Sequence, residues 1–448
     1  MTDASSNQAE PASPAGSGGQ TREEFLKRAG AGAAVLFAGS GFAGLGASAR
    51  AARHGRNARA AVSGTVTVRY WGQGPERVAW AKRIKYFNVK YPNVKVVSQL
   101  LQKNGYDEFP ALLTQIAAGH APDVMRVLNY QPTQLVAQGN ALMPLDDFVK
   151  NDKTLDVPDF VPVAWAAGKV GGKQFAVPQN GEPYNVHYNK DAFAKAGIKD
   201  PWAQYNAGTW NEQSFKAAAK ALQEKAGVKF GAAWESWNYD VFVFMGGGKI
   251  LDPKLKPLIQ AQPSPKTLQY FSDMINTDKT APDPNVPSGN WLQYFTQQQL
   301  GMYLSGSWWA KYMPTVPFQW DSAPLPKFFG HLASKLELDA LSISSQTKNP
   351  DAAWAFVRTV TDPKALVLWT AVATPSRTST LKTKAFLSNP HVKATVVMLK
   401  YSTFTPFTKA GAAVDTACTT ALDPMWLGKQ TAAAATSNAA SALTKALA

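Results

Sequence analysis

At 448 residues the chain is about three times the usual single-domain length, so two lobes are expected rather than one core. Hydrophobic residues make up 45% and charged residues 17%, which excludes a disordered or fibrous protein. The 46 Lys and Arg against 31 Asp and Glu give a net charge of +15, enough to raise the question of anionic partners.

Residues 1–20 are small, polar and rich in Pro and Gly, and cannot bury enough apolar surface to offset their chain entropy. Thr21-Arg22-Glu23-Glu24-Phe25-Leu26-Lys27-Arg28 then precedes an uncharged run from Ala29 to Ala49. Interrupted by glycines and without an aromatic belt, that run reads as the apolar part of an export signal rather than a permanent membrane anchor. Its basic flank is similar to a twin-arginine signal, with Glu23 in place of the second arginine. Ala47-Ser48-Ala49 and Ala58-Arg59-Ala60 are cleavage candidates. No cysteine follows the run, so attachment by a lipidated cysteine is not expected. Loss of residues 1–60 would leave 39 basic against 27 acidic residues, still +12. Past residue 60 the Lys and Arg are scattered, so a solvated basic surface is the expectation and nucleic-acid binding is not.

The segment that follows alternates strand and helix. Val66, Val68 and Tyr70 alternate in a strand that ends at Trp71 before a Gly72 to Pro75 turn. Trp80, Ile84, Phe87 and Tyr91 share one face of a helix, Pro92-Asn93 stops it, and Val94 to Val97 forms a second strand. A helix starts at Pro110, carries Leu112, Leu113 and Ile116, and stops at Gly119; Val124-Met125 enters a third strand, and 129–139 reads as another helix. Such β-α-β units imply a mostly parallel sheet covered on both faces, with ligands at the carboxyl ends of its strands. Trp71, Gln73, Asn129 and Tyr130 stand at those ends, with Glu76 beside them.

Beyond Lys169 the texture changes. Gln174 to Tyr188 is extended, yet contains Pro178 and Pro183, which makes it a poor central strand and a crossing between lobes. Thr209-Trp210-Asn211-Glu212 has the form of a capping box, Trp234, Trp237 and Tyr239 crowd before a glycine turn, and Asn349-Pro350 and Asp362-Pro363 each open a helix. Cys418 is the single cysteine, which excludes an internal disulfide framework and any multi-cysteine metal site. The five histidines show no H-x-x-x-H spacing, and no metal or cofactor is expected.

From about residue 65 onward the chain resembles the extracellular solute-binding proteins of family 1, the maltose-binding-like receptors of ABC importers. The resemblance is carried, in order, by Trp71, Tyr91-Pro92-Asn93-Val94, Ile116 to Val124, Pro144-Leu145-Asp146-Asp147, Gly172 to Pro178, Tyr188 to Phe193, Thr209-Trp210, Gly247 to Ile250, Met302 to Trp308, and Lys348-Asn349-Pro350 to Phe356. Each motif alone is weak; their shared order is specific. Gln319 to Leu338 matches poorly.

The resemblance implies an α/β, two-lobed periplasmic-binding-protein type II fold with a ligand cleft between lobes. It implies a cofactor-free monomer that closes on a solute, a sugar above all, and hands it to a membrane permease without catalysis. Lobe one is expected at 61–178 plus 345–395 and lobe two at 179–344 plus 396–448, with crossings near Val177–Asn180, Leu341–Ser345 and Thr380–Lys400. A sugar presents an apolar C–H face and a polar rim, so its receptor needs aromatic plates and planar hydrogen-bonding groups. Trp308 matches the cleft tryptophan of the family; Trp71, Trp234 and Trp237 are further plates, and Asn180, Glu182 and Tyr184 on the crossing, with Arg377 after Thr374-Pro375-Ser376, are polar candidates. Core packing, or for Arg377 surface solvation, is the competing reading for each. Two other functions fit less of the chain. A glycoside hydrolase would use two carboxylates about 5–9.5 Å apart, for which Glu182 and Glu235 can be nominated. A polyanion binder rests on the residual charge alone.

Overall fold

The computed structural model describes residues 62–72, 74–283, 291–313 and 316–448, so the expected export signal and Gln73 lie outside the described residues. Nine strands form one continuous sheet: β1 Gly64–Trp71, β2 Val94–Leu101, β3 Val124–Leu128, β4 Ala176–Asn189, β5 Phe230–Trp234, β6 Leu300–Gly306, β7 Trp320–Ala323, β8 Ser334–Ile343 and β9 Ser402–Thr403. Their order is β2-β1-β3-β8-β4-β6-β5, with β9 beside β8 and β7 beside β4. The β1–β2, β1–β3 and β5–β6 pairs are parallel, as the β-α-β reading requires.

The first helix runs Pro75–Lys90, and Trp80 and Phe87 from its expected stripe are fully buried. Helices Phe109–Ala117 and Gln131–Ala137 end before Gly119 and Gly139, whose φ of 75° and 88° are the left-handed values that glycine adopts at no steric cost. Asp362 caps its helix by accepting a hydrogen bond from Ala365 N at 2.8 Å. The predicted box at Thr209 is displaced by two residues. Asn211 and Ser214 form the reciprocal cap of Glu212–Ala221, while Thr209 Oγ1 donates back to Gln204 O.

The largest correction concerns β4. It is fourteen buried residues in the middle of the sheet, a central strand in spite of its prolines. Both prolines fall where a missing amide is tolerated. Pro178 sits at a register shift, opposite Ala340 while Asn180 opposes Asp339, so Gln179 is the extra residue of a bulge. Pro183 stands where one neighbour of the strand gives way to another: Gly181 N donates to Thr374 O, and Tyr184 then opens the ladder with Gly306.

Strands β4 and β8 therefore join two separately packed bodies. Val66, Trp80, Phe87, Val124, Val357 and Trp369 form one core and Phe109, Leu112, Met125, Leu336 and Leu338 a second beside it, both on the β1–β3 side. Tyr188, Phe215, Phe242, Phe271, Leu304 and Trp426 form the core on the other side. The C-terminal helices Gly411–Trp426 and Ala432–Leu447 pack into this last core.

Candidate functional site: a polar ribbon between two lobes

β4 and β8 run antiparallel with Leu336 opposite Pro183, Glu337 opposite Glu182, Leu338 opposite Gly181 and Asp339 opposite Asn180. Successive side chains point to opposite faces, so Asn180, Glu182, Tyr184, Lys335, Glu337 and Asp339 share one face and Gly181, Pro183, Leu336 and Leu338 the other. The apolar face is sealed: Leu336 and Leu338 are 1% and 0% exposed. On the polar face groups from both bodies meet, Arg126 and Asn129 from one and Asn238 and Asp240 from the other.

Hydrogen bonds fix each group on it. Glu337 lies 2.7 Å from Lys335 Nζ and 3.1 Å from the Tyr184 hydroxyl, and accepts a hydrogen bond from Asn129 Nδ2. Lys335 also pairs with Asp240 at 3.0 Å. Burial pulls the Lys335 ammonium down, but Asp240, Glu337 and Asp415 outweigh it and hold the pKa above its ordinary value. Burial lifts Asp415 to about 7, opposed by Lys335 and reinforced by Asp240 and Glu337. Asp339 accepts from Arg126 Nε at 3.0 Å and from Gln179 Nε2 at 2.8 Å. The Arg126 guanidinium lies 4.0 Å from the Trp71 ring centroid, donates to Trp71 O at 2.7 Å and pairs with Glu76 at 3.2 Å.

Glu182 makes a clasp. Its carboxylate accepts from Thr374 N at 2.7 Å, Thr374 Oγ1 at 2.6 Å and Ser307 Oγ, tying the segment after Trp369 to the turn after β6. Beyond that turn Trp308 is half-buried and meets Tyr184 edge-on at 5.6 Å and 81°. Its ring lies over Gly306, where an added Cβ would come within 1.8 Å of it. Glu235 accepts from Tyr303 OH and, at 3.3 Å, from Asn238 Nδ2; burial raises it to about 7 in spite of those bonds.

Most of the residues expected at the cleft are brought together: Trp71, Glu76, Asn129 and Tyr130 from the β1–β3 side, Asn180, Glu182 and Tyr184 on the ribbon, and Trp308 from the other side. Asn129 accepts from Leu338 N at 2.8 Å through Oδ1, and its φ of 39° is one that Asn tolerates better than most residues. Tyr130 is half-buried, 6.0 Å from Tyr106, and Trp237 is also half-buried. Two expectations change. Trp234 is 5% exposed and packed edge-on against Phe242 and Phe271, a core residue rather than a plate. Arg377 is 1% exposed, not solvated: its guanidinium lies over Phe160 and donates to Thr361 O, Leu155 O and Asp156 O. Lys335, Glu337 and Asp339 were missed, although Lys-Leu-Glu-Leu-Asp alternates in the manner of a strand with one polar and one apolar face. Arg126, Tyr106, Asp240 and Asp415 carry no local signal.

Residues 71–366 match the bacterial extracellular solute-binding protein family. The chain belongs to this family. An uncharacterized ABC transporter extracellular-binding protein of Pyrococcus horikoshii is 30% identical over 236 residues, 51% of this chain and 46% of its own length. The sn-glycerol-3-phosphate-binding periplasmic protein of Escherichia coli is 28% identical over 34% of each chain. This solute-binding protein thus spans less than half the length of either relative. The solved structure of the sugar-binding protein MalE of Xanthomonas citri superimposes with a TM-score of 0.75 at 22% identity, covering 86% of this chain and 97% of that one. The likeness shows a common two-lobed fold. Among the described residues no helix is long and apolar enough to cross a membrane.

Proposed function

We propose that the protein is the exported substrate-binding receptor of an ABC importer, that its solute is a mono- or oligosaccharide, and that it binds by lobe closure without catalysis. The observation that carries this is the polar face of a two-stranded ribbon, with Asn180, Glu182, Tyr184, Lys335, Glu337 and Asp339 on it and half-buried Trp308 and Tyr130 on its two sides. Planar acceptors next to aromatic plates suit the hydroxyl rim and C–H face of a sugar. The lobes are residues 61–178 with 345–395 and 179–344 with 396–448, and closure lets a solute that touches both shift an open–closed equilibrium that a permease reads. The protein's export rests on the family and on the signal-like run before residue 60. Hydrolysis is disfavoured because Glu182 is engaged by Thr374 and Ser307 and Glu235 by Tyr303 and Asn238. Thermal unfolding across a panel of pentoses, hexoses and disaccharides tests the reading, since a solute bound by the native state alone raises the midpoint by mass action. A panel without effect, or turnover of a glycoside that disappears in both Glu182→Gln and Glu235→Gln, overturns it.

A further inference from the structure

Glycerol phosphates and sugars make opposite electrostatic demands on a cleft, and this one has a sign of its own. The whole chain carries +15, yet the groups around the ribbon are mostly carboxylates. Glu76, Glu182, Asp240, Glu337, Asp339 and Asp415 gather there with Glu235 close by, against Arg126 and Lys335, while Arg83 stands behind Gln179 and donates to Val360 O. Solvent reaches the cluster, since the side chains of Lys335 and Glu337 are each 19% exposed and that of Glu76 is 13% exposed.

Asn180 bears on the chemistry that a ligand brings to this face. Asn180 is 4% exposed and its Oδ1 has no hydrogen-bond partner among the described residues, though it shares the ribbon face with Asp339, its cross-strand neighbour. A buried amide oxygen accepts and does not donate, and leaving it unpaired is costly. A donor therefore suits this acceptor-rich face best. A phosphate offers lone pairs to carboxylates and is repelled; a hydroxyl offers one proton; an ammonium offers three and the opposite charge.

We propose that the cleft takes a sugar bearing a protonated amine, with the amine held at the Asn180, Glu337 and Asp339 end of the ribbon. This rests on reading the cleft as a sugar site and adds the charge of the sugar. The test is calorimetry and thermal unfolding on the full chain at pH 7 with matched ligands: glucose, glucosamine and glucose 6-phosphate, then cellobiose and the glucosamine disaccharide. Each amino sugar should bind at least about tenfold tighter than its neutral twin, the gain of a charge-assisted over a neutral hydrogen bond. That ratio should shrink in Glu337→Gln and in Glu76→Gln, the second being at the exposed edge of the cluster and the safer for folding. Neutral sugars that bind as tightly as the amino sugars, or a ratio unmoved in both variants, overturn the amine and leave the sugar reading intact. A phosphate that binds tightest overturns the amine as well. Silence from every ligand overturns both.

Discussion

Two residues at the turn after β6 act as one device. Gly306 has no side chain because the Trp308 ring occupies the space where one would be, so Gly306→Ala should displace the indole as Trp308→Ala removes it. An aromatic contact is worth about 0.5–1.5 kcal/mol beyond area burial, and its desolvation adds to that. Trp308→Ala should therefore weaken binding of a sugar identified by the panel roughly tenfold, and Gly306→Ala by a similar factor; calorimetry on the two folded variants checks this, and unchanged affinity in both removes Trp308 from the site. Glu235 supplies a pH signature. Its folded pKa of about 7 lies above the ordinary carboxyl value of about 4.3, so between those values the native state holds a proton that the unfolded chain has released. Stability contributed by that proton is lost as pH rises through this window. Glu235→Gln should thus gain on the parent from pH 5 to pH 8 in the difference of unfolding midpoints, although Asn238 Nδ2 then faces an amide instead of a carboxylate. A difference that is flat with pH refutes the assignment.

The ribbon of β4 and β8 divides its work between its faces. Leu338 is fully buried on the apolar face with Leu336, Leu112 and Met125, so Leu338→Ala leaves a cavity and should cost about 2–5 kcal/mol of stability. Glu337→Gln on the polar face keeps the volume and one acceptor but leaves Lys335 with Asp240 alone, so it should cost less stability than the cavity while lowering affinity. Denaturant unfolding of the two variants separates the faces; equal losses would mean that the polar face also serves chiefly as core. The same alternation explains what could be read in advance. Val66, Val68 and Tyr70 in β1 and the Trp80 and Phe87 stripe were visible because one face of each element is buried by the body it belongs to. β4 was harder, since Pro178 and Pro183 argue against a central strand until the bulge at Gln179 and the change of neighbours at Pro183 are seen, and both depend on strands far away in the chain.

At the scale of the molecule, β4 and β8 are the strands that join the two bodies, and the proposed closure would act through them. A solute gripped from both sides should compact the protein, and small-angle scattering with and without a sugar that raises the unfolding midpoint should show a smaller radius of gyration with it. An unchanged radius would argue for a rigid cleft. Charge belongs to this scale too: a chain of net charge +15 gathers mostly carboxylates around its ribbon, and the net value gives no hint of them. The Glu182 clasp belongs to the same level, joining the strand that carries it to Thr374 and Ser307.

The amino-acid sequence by itself determined the β-α-β pattern, the two-body organisation and the family, and it set Asn180, Glu182 and Tyr184 on one extended segment. These follow from periodicity and motif order, which are properties of neighbours along the chain. Tertiary structure decided that Trp234, between Phe242 and Phe271, is a core residue, and it buried Arg377 against Phe160 and a set of carbonyls. It also assembled Lys335, Glu337, Asp240 and Asp415, which lie up to 175 residues apart. A side chain's charge partners and its desolvation depend on what folds against it, and no spacing along the chain encodes either.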